Sequence, residues 1–132
     1  MGPWERRTIV GMAVLADAAL DEREREVLDR LVRALVEEYG DDLDGVWLYG
    51  SRARGERSHD ESDVDVLVVT RSDRDDRALI PLLWRVLDEL GNPRVLVDPR
   101  QRSRAWVDDR RAIDSFFIRE VDREKIVLYG RP

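Results

Sequence analysis

Leu48-Tyr49-Gly50-Ser51-Arg52-Ala53-Arg54-Gly55, then a polar loop, then Ser62-Asp63-Val64-Asp65-Val66-Leu67-Val68-Val69 is the stretch on which the reading of this chain turns. It joins one short apolar run to a second run that opens with two carboxylates at i and i+2. Val46–Tyr49 has the β-branched and aromatic content of a strand and stops at Gly50. Asp63–Thr70 reads as the next strand, and its almost unbroken apolar character after Asp65 suits burial on both faces.

On the N-terminal side, Asp21 and Glu24 stand in capping-box spacing, and Val27, Leu28, Leu31, Val32, Leu35, Val36 and Tyr39 recur with helical period up to Gly40. Residues 1–20 carry a weaker helical pattern, interrupted by Gly2, Pro3 and Gly11, and are read as an N-terminal extension. On the C-terminal side a charged connector leads into a helix with Leu79, Leu82, Leu83, Val86, Leu87 and Leu90 on its core face. Pro81 is tolerated there because it falls in the first turn. Val95–Val97 predicts a third strand stopped by Asp98-Pro99, followed by a basic loop carrying Arg100, Arg102 and Arg104. Trp106, Ile113, Phe116, Phe117 and Val121 predict one further helix to about residue 123, and Ile126–Tyr129 a short terminal strand. The order is that of one α/β (α+β) domain over residues 21–132, with a small mixed sheet packed by helices.

Composition narrows the function. The chain has 132 residues, enough for one core, and 39% of them are charged. A formal net charge of −6 opposes broad binding to nucleic acid, because the field of the whole molecule repels a polyanion. Cysteine is absent, which excludes disulfides, thiolate catalysis and Cys-bound zinc; the single histidine, His59, excludes a clustered-His metal site. The longest apolar run, Ala78–Trp84, is too short to span a bilayer, and Ile9–Leu15 behind Glu5 does not make a signal peptide. A soluble, cytoplasmic protein is expected.

Side chains two apart on a strand share a face, so Asp63 and Asp65 point the same way, about 7 Å apart. Two such carboxylates suit a hard cation, and magnesium takes oxygen ligands from one or two carboxylates plus waters and substrate phosphates. Gly50-Ser51 supplies the complementary half: a glycine lets backbone N–H groups approach an anion, and the serine hydroxyl adds a donor. Arg52 and Arg54 add positive charge. Alone, Gly-Ser is a plain turn and Asp-x-Asp a pair of solvated acids; together they imply phosphoryl or nucleotidyl transfer. A hydrolase triad of Ser51 with His59 lacks an oriented third partner. Trp47, Trp84 and Trp106 are expected in the core rather than on a base-stacking platform.

Gly50-Ser51-Arg52-Ala53-Arg54-Gly55 followed by Ser62-Asp63-Val64-Asp65 resembles the signature of the minimal nucleotidyltransferases of the DNA polymerase beta-like superfamily. The resemblance runs from the Asp21 helix to the terminal strand. It implies transfer of a nucleoside monophosphate from a magnesium-bound NTP, with ATP the expected donor, to a hydroxyl. Small members of the family are often antitoxins that adenylylate a HEPN-type toxin, so a protein partner of that kind is implied. By the same resemblance Gly50 and Ser51 hold phosphates, Asp63 and Asp65 bind magnesium, and Arg52 and Arg54 assist. The loop between Ser51 and Asp63 is one residue longer than is common in the family, a small change in closure entropy.

The family also places a third catalytic acid on the next strand. Aligning Pro99-Arg100 with the family's Pro-basic pair puts Val95 there, whereas Asp98 is the only acid nearby. Positions 95 and 98 face opposite sides of a regular strand, so Asp98 is expected to complete the site only if a bulge re-aims it. An alternative is therefore a nucleotide-binding or partner-binding module without turnover. Transfer to a small molecule of the aminoglycoside type is a further alternative, with little room for a second substrate domain.

Overall fold

The computed structural model of the chain describes residues 18–56 and 63–132. Helix α1 runs Glu22–Tyr39 and begins with the expected capping box. Glu24 N–H donates to Asp21 Oδ1 at 2.8 Å, and Asp21 N–H donates to Glu24 Oε1 at 2.9 Å. Two amides that a helix start leaves without partners are thereby satisfied. Gly40 ends the helix at φ +53°, a conformation that favours glycine. A 3-10 turn leads to β1, Leu43–Tyr49, every residue of which is buried. β2 is Val64–Thr70, α2 Leu79–Glu89, β3 Val97–Ser103, α3 Arg104–Ala112, α4 Phe116–Glu124 and β4 Ile126–Gly130.

The sheet order is β3-β2-β1-β4. β2 and β3, which flank α2 in the chain, pair parallel; β1 pairs antiparallel with both β2 and β4. The fold is thus a single α+β domain with a mixed sheet, as the sequence predicts. Strand alternation sorts the core into two layers. Leu48, Val64, Val66 and Val68 pack with Leu28, Leu31 and Leu35 of α1 and Leu79, Leu82 and Leu83 of α2. Trp47, Tyr49, Leu67 and Val69 pack with Val107 of α3 and Ile118 and Val121 of α4. Each of these buried side chains contributes about 1.5–3 kcal/mol of apolar burial.

Three expectations are corrected. The third strand does not stop at Asp98-Pro99; it begins at Val97 and continues through the arginines read as a loop, Arg100 and Arg102, to Ser103. Proline is tolerated because β3 is an edge strand. Val64 N–H donates to Leu96 O at 2.8 Å, so Asp98, Arg100 and Arg102 turn their backbone groups to β2, and Pro99 and Gln101 turn theirs outward. Gln101 N–H donates instead to Asp76 Oδ1 at 2.7 Å. The predicted last helix is two helices: Asp114 takes φ +50°, and Ser115 caps a new start with its side chain accepting from Ile118 N–H. Trp84, expected in the core with Trp47, is 66% exposed on α2, while Trp47 is fully buried. His59 and nearly all of the 1–20 extension lie outside the described residues.

Candidate active site

The end of β1 and the start of β2 meet because the two strands are antiparallel: Tyr49 is the cross-strand partner of Asp65. Directly after Tyr49, Gly50 adopts φ +80°, and a Cβ there would collide with Asp65 Oδ2. Only glycine lets the turn lie against that carboxylate. Arg54 N–H then donates to Gly50 O at 3.2 Å and Glu56 N–H to Ser51 O at 2.9 Å, so the segment winds into a helical turn with Ser51 at its opening.

Asp63 is exposed just ahead of β2, and Asp65 is partly buried. Asp98 is the parallel partner of Asp65, in a register that runs without a shift from Val64/Val97 to Thr70/Ser103. Asp98 therefore shares the face of Asp65, and no bulge is needed. The expectation counted strand parity from Val95, but Val95 precedes the strand. Burial, then the Asp98 charge, then that of Asp63 push the Asp65 carboxyl up to about 6; Arg100 and Arg54 oppose the rise. The site is thus short of positive charge.

Among the described residues, no three His, Cys, Asp or Glu side chains gather closely enough to form a metal cage by themselves. Asp63 and Asp65, with Asp98 beside them, offer hard oxygen donors only. That set fits a cation that draws its other ligands from water and phosphate, as magnesium does.

Of the expected phosphate contacts, Arg52 lies inside the fold. It is 3% exposed, and its Nη1 donates to Glu24 Oε1 and Oε2 at 2.7 and 2.6 Å and to Ala19 O at 3.0 Å. Ala19 N–H returns a bond to Arg52 O at 3.0 Å. The capping-box glutamate of α1 thus anchors the Gly50–Gly55 turn, with Arg52 as its buried counterion. Arg54 is partly exposed but bonded to Glu124 of α4 at 2.9 and 3.0 Å, and it also pairs with Glu56.

Sequence reasoning did not single out two neighbours of the site. Tyr49 is pushed up to about 12, by burial first and then by Asp65, so it stays neutral beside the carboxylates. Its ring meets Phe117 edge-on at 5.7 Å, and Phe117 meets Trp106 at 6.2 Å. Phe116 and Ile113, at the α3–α4 junction, are 69% and 66% exposed. The 3.6-residue pattern assigns these side chains to one helix and gives no sign that the break at Asp114 leaves Ile113, Phe116 and Phe117 exposed.

A glycine-serine turn lies against strand-borne carboxylates at one end of a mixed four-stranded sheet. The chain belongs to the nucleotidyltransferase domain family, whose model matches residues 28–128. Among solved structures it is similar to two mutants of the toxin–antitoxin pair MntA–HpeT. One is 17% identical with a TM-score of 0.53, covering 78% of this chain and 73% of that one. The other is 18% identical with a TM-score of 0.50, covering 85% and 74%. A nucleotidyltransferase of Sulfolobus solfataricus, named as such only provisionally, is 20% identical over 99% of this chain and 90% of that one, with a TM-score of 0.45. No curated protein matches. No helix among the described residues is long and apolar enough to cross a membrane.

Proposed function

We propose that the chain is a magnesium-dependent nucleotidyltransferase that moves AMP from ATP to a hydroxyl of a partner protein, as the antitoxin of a pair with a HEPN-type toxin. The observation that carries this reading is the register of Asp98 against Asp65, which supports Asp98 as the third acid.

Asp63 and Asp65 would hold the cation, which when bound neutralises polyphosphate charge and favours the ionised acceptor hydroxyl. The Gly50–Ser51 turn receives the β- and γ-phosphates. The acceptor oxygen bonds to the α-phosphorus as the bond to the bridging oxygen breaks, and pyrophosphate leaves. Asp98, on the face of Asp65 and 37% exposed at its side chain, takes the hydroxyl proton.

A protein acceptor is supported by the toxin–antitoxin pairs among the similar structures. It is also supported by the exposed Ile113 and Phe116 next to Phe117, whose ring touches Tyr49, since exposed apolar side chains beside a site suit a macromolecular partner. The test is incubation with α-labelled ATP, magnesium and the product of the adjacent reading frame. Label on that neighbour is expected; label nowhere in the mixture contradicts the reading.

A further inference from the structure

The sequence offers Arg52 and Arg54 as the cations of the phosphate site, and the structure commits both elsewhere. Arg52 is buried on Glu24, and Arg54 is bonded to Glu124. Further along β3, Arg102 donates to both oxygens of Asp76 at 3.1 and 3.0 Å and lies over the Trp106 ring at 5.2 Å. Arg100 differs from all three. It stands two residues after Asp98 on β3, so it shares the face of Asp98 and Asp65, and it is the parallel partner of Leu67, one step along from Asp65. Its side chain is 51% exposed, and its only ion pair among the described residues is with Asp98, at 3.6 Å from Nε to Oδ2. That separation is too long for a hydrogen bond.

We infer that Arg100 is the phosphate-binding arginine of this site: a guanidinium that balances Asp98 while no cation is bound and donates to a phosphate oxygen of the nucleotide once a cation is. The inference rests on the nucleotide site proposed above and assigns it a residue outside the Gly50–Asp65 motif. The physical reason is competition. One guanidinium cannot make full bidentate use of both a carboxylate and a phosphate. A divalent cation among the carboxylates weakens the pull of Asp98 on Arg100, and the polyphosphate that arrives with it is the stronger anion. Arg100 then has a free fork of donors facing the ligand, which neither Arg52 nor Arg54 has.

Two titrations of the full chain test this, one with Mg-ATP and one with Mn²⁺ alone, on wild type, Arg100→Ala, Arg100→Lys and Arg102→Ala. Arg100→Ala is expected to weaken Mg-ATP binding about tenfold or more, since a charge-assisted hydrogen bond is lost. It is expected to tighten Mn²⁺ binding severalfold, since a competing positive charge has left Asp98. Arg100→Lys, which keeps the charge without the fork, recovers part of the nucleotide affinity and reverses the gain for Mn²⁺. Arg102→Ala stays within about twofold of wild type in both. A purely structural role for Arg100 cannot move the two affinities in opposite directions. Mg-ATP binding by Arg100→Ala within about twofold of wild type overturns the assignment. If wild type itself binds no nucleotide, the proposed function falls, and the Mn²⁺ titration still decides on Arg100: an affinity unchanged in Arg100→Ala overturns its pairing with the carboxylates.

Discussion

Asp44 and Asp65 stand on neighbouring strands at opposite ends of one sheet, and the chain surrounds them in opposite ways. Asp44, 4% exposed at the start of β1, accepts from Arg104 Nε at 2.6 Å and from Arg131 Nε and Nη2 at 2.9 and 2.7 Å, with Arg71 at 3.9 Å. The hydrogen bonds from Arg131, and after them those from Arg104, hold its carboxyl down at about 2 against the cost of burial. Arg131 N–H also donates to Asp44 O, and Trp47 Nε1 donates to Arg131 O at 2.8 Å, so this cluster fastens the end of the chain to β1. At Asp65 the balance is reversed: Asp98 and Asp63 raise its carboxyl, and the charges of Arg100 and Arg54 only partly oppose them. A fully paired carboxylate holds the fold together; an underpaired one leaves a charge deficit for a ligand to fill.

The largest effect is expected from Asp65→Asn, which should cut nucleotidyl transfer by at least about a thousandfold while folding stability at pH 7 stays level or rises. Label transfer and urea unfolding of the same preparation measure both. Arg52→Ala probes the boundary of the comparison, because Arg52 lies at the Asp65 end yet is paired in the manner of Asp44. Leaving Glu24 buried without its counterion should cost about 3 kcal/mol of stability. Mg-ATP affinity of the folded fraction, read well below the melting temperature, should stay within about threefold of wild type. A large affinity loss with intact stability would return Arg52 to the phosphate site. Asp44→Ala should cost about 2 kcal/mol, discounted because Arg131 and Arg71 are exposed, and leave transfer per folded molecule unchanged.

The smallest effect is a pair of opposite pH slopes in the metal-free protein. The folded-state pKa of Asp65 is raised, to about 6 from 3.8, so its stabilising contribution is complete below 3.8 and is lost as pH rises through 6. The folded-state pKa of Asp44 is depressed, so its contribution is present above 3.8 and is lost as pH falls toward 2. After allowance for solvent screening each change is about 1–2 kcal/mol. Unfolding free energies of wild type from pH 3 to 8, compared with those of Asp65→Asn, should differ in slope only between about pH 4 and 6. With saturating magnesium the destabilisation above pH 4 should shrink, since the cation binds the ionised carboxylates.

Much of this molecule was legible in its sequence, and what escaped shares a cause. The capping box, the α1 and α2 core faces, the first two strands and the Gly50–Asp65 constellation are local patterns, and local patterns survive folding. The reading of β3 failed because proline was taken as a stop, which holds for a central strand and not for an edge strand whose outward position needs no N–H. The same error hid the register that places Asp98 beside Asp65 and Arg100 one step further on the same face. Arg52 looked like a phosphate ligand because its partner, Glu24, lies 28 residues away and was already explained by the helix cap. Asp44 drew no attention because its arginines come from α3 and the chain's end. Ion pairs between distant segments set which charges are spent on the fold and which remain for chemistry, and a linear pattern does not record them.

The central claim is that the carboxylates opposite the Gly50 turn receive a divalent cation with a nucleotide. The most direct measurement is an anomalous-difference map from crystals grown with Mn²⁺ and a non-hydrolysable ATP analogue. The account predicts a Mn²⁺ peak within bonding distance of Asp63 and Asp65, with Asp98 beside it and the phosphates at Gly50–Ser51. A peak at any other cluster, or a nucleotide bound away from this end of the sheet, would contradict it.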